Sequence, residues 1–143
     1  MTHPSPRRFQ LYLIKPSHYD DDGYVIQWVR SAIPSNSLAV LYGLARECGS
    51  RNVLGSGVEI EVIALDETNT RIRPDRIARA IRLAGGFGMV GLVGVQSNQF
   101  PRAMDLARSF RRSDVQVCVG GFHVSGCLAM LPEMPDDLKE ALA

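Results

Sequence analysis

The sequence predicts a parallel, doubly wound α/β sheet. Apolar segments that can form strands alternate along the chain with segments whose apolar residues recur at helical spacing. The third strand segment is apolar throughout, as expected for a strand covered on both faces. Loops rich in glycine and polar residues follow the strand segments, at the positions where open parallel sheets receive ligands. Such an alternation of strands and helices implies parallel pairing with right-handed crossovers.

The first two strands differ in pattern. Residues 9–14 (FQLYLI) form the first, which Pro16 ends because proline cannot donate to a strand ladder. Residues 58–65 (VEIEVIAL) form the second, in which Glu59 and Glu61 alternate with apolar side chains. An alternating strand has one solvated face, so we expect the second strand at an edge of the sheet.

The third and fourth strands are predicted at residues 89–95 (MVGLVGV) and 115–119 (VQVCV). The fourth runs into Gly120 and Gly121 and then into a short polar turn that contains Ser125. With the second strand at one edge, the strand order is 2-1-3-4, which is flavodoxin-like. The fifth strand of such a sheet is missing from the sequence, so the fourth strand should be exposed at the other edge.

Helices are predicted between the strands. The first runs from Leu38 to about Cys48, capped by Asn36 or Ser37, and the others open at Pro74 and Pro101. After the fourth strand we expect a short amphipathic segment and a further helix from near Pro135. In the first helix the apolar residues at helical spacing are Leu38, Leu41, Tyr42 and Ala45, and in the second Ile77, Ile81 and Ala84 share one face. In the third, Met104, Ala107 and Phe110 are predicted to face the core.

The chain divides into three parts. Residues 1–8 are predicted to be a disordered leader, residues 9–133 the folded domain, and residues 134–143 the start of a following helix or linker. We therefore expect the front part of a longer protein. The exposed fourth strand and the apolar residues near Leu128 predict marginal stability or self-association of the isolated chain.

Composition excludes several functions. The 143 residues are 45% hydrophobic and 22% charged, which is typical of soluble globular proteins. A net charge of +1 gives no reason to expect nucleic acid or an anionic membrane as a partner, and no apolar run reaches the roughly 20 residues of a membrane span. The three cysteines lack metal-site spacing, which favours a reducing, cytoplasmic compartment. Within its apolar strand, Cys118 is predicted to be a small core residue, and Cys127 is interpreted as structural.

Three sequence features resemble functional motifs but lack a part that each motif requires. Residues 86–91 (GFGMVG) match G-x-G-x-x-G, but they follow a helix and enter a strand, the reverse of the dinucleotide-binding arrangement. The aspartates at 20–22 follow the first strand, as in Mg²⁺-binding receiver domains, yet the loop after the third strand lacks the phosphate-accepting aspartate. Neither His18 nor His123 has partners at metal-ligand spacing. No nucleophile elbow is present, so no catalytic residue is predicted.

Three loops carry a resemblance to a known family: KPSHYDDDGY, VGVQSNQFP and CVGGFHVSG. Residues 9–133 resemble the N-terminal cobalamin-binding domain of radical S-adenosylmethionine enzymes. The resemblance implies that the double glycine lines the channel for the nucleotide tail of the cofactor. The implied cofactor-binding residues are His18, Tyr19, Gln96, Ser97, Asn98, Gly120, Gly121, Phe122, His123 and Ser125.

The loop after the first strand departs from the pattern of cobalamin domains in general. His18 aligns with the histidine that coordinates cobalt in the motif Asp-x-His-x-x-Gly, but the aspartate and the glycine are absent. The aspartate would orient the imidazole. We therefore expect cobalt to have no protein ligand in this chain.

The resemblance also implies the role of the whole protein. It would be a methyltransferase acting on an unactivated carbon or phosphorus centre, or an enzyme of a related radical rearrangement or cyclisation. S-adenosylmethionine and a 4Fe-4S cluster would be held by a C-terminal radical domain. The cluster motif Cys-x-x-x-Cys-x-x-Cys is not in this sequence, so this chain would be the non-catalytic part. The alternative is a flavodoxin-like regulatory or interaction domain without a cofactor, in which the double glycine only forms a turn.

Overall fold

A computed structural model describes residues 5–29 and 34–143 and contains one four-stranded, all-parallel sheet. The strands are β1 (Arg7–Lys15), β2 (Val58–Asp66), β3 (Gly88–Leu92) and β4 (Gln116–Val119), in the order β2-β1-β3-β4. The predicted flavodoxin-like doubly wound fold is thereby confirmed. β1 begins at Arg7, inside the predicted leader, and residues 1–4 of that leader lie outside the described residues.

Five helices are found in the described residues: α1 (Asn36–Ser50), α2 (Pro74–Leu83), α3 (Phe100–Arg112), α4 (Phe122–Met130) and α5 (Asp136–Leu142). None of them combines the length and the apolarity needed to cross a bilayer. The predicted polar turn after the double glycine is wrong, because α4 begins directly at Phe122. Gly121 is the N-cap of α4 and has a φ of 145°, a value that favours glycine, so the helix follows the double glycine without a separate turn.

The position of β2 confirms the interpretation of its glutamates. β2 lies at an edge and pairs only with β1, and Glu59 opposite Arg8 is exposed. Glu61 accepts a hydrogen bond of 3.0 Å from the buried Gln10 side chain on β1. Alternation between charged and apolar residues therefore predicted the strand order correctly.

One face of the sheet carries the main core. α2 and α3 pack on this face, and their buried residues include Ile77, Ile81 and Phe110. Leu138 of α5 is only 1% exposed and belongs to the same core cluster. The C-terminal helix is thus held by apolar packing against the elements that precede it.

The other face is less covered. α1 packs on β1 and β2, yet none of its residues is buried, and Val40 and Leu44 are largely exposed. Cys118 is exposed on this face, so its prediction as a core residue is wrong. The reason is its place on β4, an edge strand whose residues alternate between exposed and half-buried instead of being covered on both faces.

The N-cap of α1 gives a first testable prediction. Ser35 Oγ accepts a hydrogen bond of 3.2 Å from the amide of Leu38, so Ser35 is the cap and not the predicted Asn36 or Ser37. We expect Ser35→Ala to lower the free energy of unfolding by about 1 kcal/mol. Ser37→Ala is the matched control and should change it little. Urea denaturation of both variants measures the difference, and equal effects would contradict the assignment.

Candidate functional site

The loop after β3 and the turn after β4 meet at the carboxyl edge of the sheet. The amide of Gly120 donates to the carbonyl of Leu92 (2.9 Å), and the amide of Val95 donates to the carbonyl of Gly120 (3.1 Å). The amide of His123, in the first turn of α4, donates to the carbonyl of Val95 at 3.2 Å. These bonds extend the pairing of β3 and β4 and fix the start of α4 beside the β3–α3 loop.

His123 connects the two loops through its side chain. Its Nδ1 lies 3.0 Å from the Oγ of Ser97 in the β3–α3 loop. The imidazole also stacks on the buried ring of Phe100, with ring centroids 4.3 Å apart and planes tilted by 33°. Its Nε2 lies 4.0 Å from the Sγ of Cys127, one helical turn further along α4. Contacts at both nitrogens and on a ring face therefore hold this imidazole in place.

A shallow depression lies beside Ser97 and His123. It has a volume of about 390 Å³ and is lined by Gln96, Ser97, Asn98 and Phe122. The three polar residues are exposed, and Phe122 presents 74% of its surface to solvent. The loop is closed by Gln99, whose Oε1 accepts a hydrogen bond of 3.0 Å from the amide of Gln96. The depression thus combines amide and hydroxyl groups with an exposed aromatic ring.

The two glycines of the turn have different surroundings. A Cβ added to Gly120 would meet no atom within 4 Å, so this position borders open space. A Cβ on Gly121 would lie 2.2 Å from the nitrogen and 2.5 Å from the oxygen of Val95. Gly121 is therefore required by packing within the chain, whereas Gly120 leaves room for a ligand. Ser125 donates its hydroxyl hydrogen bond to the carbonyl of Gly121, within the first turns of α4.

The loop after β1 folds into a small hairpin. Tyr19 forms an antiparallel bridge with Val25, and the amide of Ile26 donates to the carbonyl of His18 at 3.0 Å. Asp20 Oδ1 accepts hydrogen bonds from two backbone amides of the turn, at 3.0 and 2.8 Å. Asp20 therefore serves the turn itself. Within residues 5–29 and 34–143, no group of three or more His, Cys, Asp or Glu side chains could hold a metal ion.

A buried ion pair between Glu67 and Arg102 holds this hairpin in place. It was not predicted from the sequence. Glu67 is 1% exposed, and its carboxylate accepts bonds from Arg102 Nη2 (2.8 Å) and from the amide of Ser17 (3.1 Å). Arg102 also donates to the hydroxyl of Tyr19 at 3.3 Å, and that hydroxyl donates to Asp105 Oδ2 at 2.5 Å. Burial and the bond to Asp105 raise the pKa of Tyr19. Burial disfavours the charged form of Arg102, but the hydrogen bonds that Arg102 donates to Glu67 and Tyr19 outweigh burial and raise the pKa of Arg102.

The structure brings only part of the predicted site together. The residues at the ends of β3 and β4 share one surface, and Ser97 and His123 touch directly. Tyr19 is engaged by α3 through Arg102 and Asp105, while His18 lies half-buried in the hairpin at the end of β1. The chain matches no known protein family, no curated protein and no solved structure at a significant level.

Proposed function

We propose that this chain is the cobalamin-binding module of a larger radical S-adenosylmethionine enzyme, a methyltransferase acting on an unactivated carbon or phosphorus centre. The observation that carries the proposal is the 3.0 Å contact between Ser97 and His123, which joins the polar loop after β3 to the glycine turn after β4. Both loops belong to the resemblance found in the sequence. They lie at the carboxyl edge of a parallel sheet, where ligands bind in such folds.

The chemistry of this surface fits cobalamin. The cofactor carries amide side chains on its ring and a tail made of phosphate, ribose and benzimidazole. Gln96, Ser97 and Asn98 offer amide and hydroxyl groups that can pair with the amides and the phosphate. The exposed ring of Phe122 can stack on the flat benzimidazole, and the open space at Gly120 admits a bulky group.

The residues of this chain would bind and orient the cofactor. Bound cobalamin supplies the carrier for a methyl group, and S-adenosylmethionine and a 4Fe-4S cluster would belong to a C-terminal radical domain. Gln96, Ser97 and Asn98 would hold its polar groups at the carboxyl edge of the sheet. Gly121 would contribute through the packing of the turn on Val95.

Retention of colour tests the proposal. The purified chain is mixed with hydroxocobalamin and desalted, and the absorbance of the protein fraction measures bound cofactor. We expect retention by the unaltered chain and a loss of at least about tenfold in affinity for Gly120→Leu, because the new side chain fills the open space of the site. Gly43→Leu in α1 is the matched control, since a Cβ there also meets no atom within 4 Å. Equal retention by both variants would contradict the assigned site.

His18 gives a separate prediction. If cobalt has no protein ligand, His18→Ala should change neither the affinity for hydroxocobalamin nor its visible spectrum. Titration followed by absorbance measures both. A spectral shift in the unaltered chain that disappears in His18→Ala would instead identify His18 as a ligand.

A cofactor-free regulatory or interaction domain is the second candidate. It is favoured by the 2.2 Å approach between the Cβ position of Gly121 and Val95, which explains that glycine by packing alone. In this case the unaltered chain should emerge colourless from desalting. The same experiment therefore separates the two functions.

A further inference from the structure

Two side chains of α4 form a thiol–imidazole pair. His123 and Cys127 are one helical turn apart, and the distance from Nε2 to Sγ is 4.0 Å. Residues separated by four positions on a helix lie on the same face, so the contact follows from the helix itself. Cys127 is half-buried and packs against the main core. The thiol therefore lies between an imidazole and the apolar core.

The imidazole is oriented for this contact. Ser97 Oγ lies 3.0 Å from Nδ1, and the ring of Phe100 supports one face of the imidazole at 4.3 Å between centroids. When Nδ1–H donates to Ser97, Nε2 carries the lone pair and faces the thiol. A nucleophile next to a base that a third group orients is the arrangement by which proteins activate thiols.

We propose that Cys127 is a reactive thiol, assisted by His123 as base and aligned by Ser97, that takes small, soft, uncharged electrophiles. The inference does not rest on cobalamin binding, since the reaction of the thiol needs no cofactor. A small reagent is required because Cys127 is half-buried.

Alkylation by iodoacetamide is the probe reaction. The thiol proton passes from Sγ to Nε2 of His123 as the sulfur lone pair attacks the methylene carbon. The S–C bond forms, the C–I bond breaks, and iodide leaves with its electron pair. The imidazolium then releases its proton to solvent. The product is a stable thioether, so each Cys127 reacts only once.

The other two cysteines provide internal comparisons. Cys118 is exposed on β4, whereas Cys48 is half-buried in α1. Desolvation by its neighbours raises the pKa of the Cys118 thiol. If exposure alone set the rate of alkylation, Cys118 would react fastest. If assistance by an imidazole sets it, Cys127 reacts fastest.

The experiment follows alkylation of each cysteine at pH 7 by peptide mapping, without added cofactor. Each rate is divided by the rate of the same cysteine in urea, which removes differences in local sequence. We expect Cys127 to have the highest ratio. His123→Gln should lower the rate of Cys127 by about tenfold or more, because positioned bases contribute factors of at least this size, and should leave Cys48 and Cys118 unchanged. Ser97→Ala, on an exposed loop, should lower it by a smaller factor.

Each outcome of this experiment either supports or overturns the proposal. If His123→Gln retains the native rates of Cys48 and Cys118 and Cys127 also reacts as before, the proposal is overturned. If that variant unfolds, all three ratios move to about one, and Ser97→Ala decides: an unchanged Cys127 rate then overturns the proposal, and a selective decrease supports it. Because no cobalamin is present, these results are independent of whether the chain retains the cofactor.

Discussion

Replacing Gly121 with alanine is expected to destabilise the fold by roughly 3 kcal/mol or more, from backbone strain together with overpacking. The new Cβ would lie 2.2 Å from the nitrogen and 2.5 Å from the oxygen of Val95, and 2.9 Å from the carbonyl carbon of Gly94. All three are backbone atoms of the segment that follows β3, so no flexible side chain can move aside. The φ of 145° at Gly121 adds strain for any residue with a Cβ. Urea denaturation of the variant measures the loss.

Gly120→Ala is the matched control for this change. The two glycines are neighbours in the same turn, but a Cβ on Gly120 meets nothing within 4 Å. We expect its free energy of unfolding to stay within about 0.5 kcal/mol of that of the unaltered chain. Equal stabilities of the two variants would show that the turn does not pack on Val95 as described. The contrast also decides which glycine can test ligand binding, because a Gly121 variant would weaken binding by destabilising the turn whether or not a ligand contacts it.

The strand order could be predicted from the sequence because it depends on solvation along single strands. Glu59 and Glu61 mark β2 as an edge, and the apolar residues of β3 mark it as internal. The same reasoning failed at Cys118, since an apolar sequence does not reveal whether a neighbouring strand or helix covers it. Burial depends on what lies on each side of a strand, and a single segment carries no record of that.

The candidate site was predictable only in part, for a related reason. Loops that follow adjacent strands must lie close together, so the meeting of Ser97 and His123 follows from the topology. The double glycine was visible, but the difference between Gly120 and Gly121 depends on the path of the backbone near Val95. The buried pair of Glu67 and Arg102 had only a weak signal in the sequence, a charged residue directly after the end of β2.

Arg102→Met is expected to cost about 3–5 kcal/mol, because it leaves a buried carboxylate without its cation. Glu67 is 1% exposed, and Arg102 contacts it through Nε and Nη2 at 2.8 to 3.2 Å. Methionine keeps much of the volume of the arginine stem, so the loss reports on charge more than on packing. Arg108→Met is the control, since its partners Asp105 and Glu140 are exposed and such pairs contribute little.

A double variant separates the buried charge from the other contacts. Glu67→Gln removes the charge but keeps an oxygen that can accept from the amide of Ser17, which Glu67 now holds at 3.1 Å. Glu67→Gln combined with Arg102→Met should therefore be more stable than Arg102→Met alone, because no buried charge is left unpaired. Because Arg102 also donates to Tyr19, hydrogen exchange in the hairpin after β1 should accelerate in both variants. If the double variant is as unstable as Arg102→Met, the loss does not come from an unpaired buried charge. If hydrogen exchange in the hairpin is unchanged, the pair does not hold this loop in place.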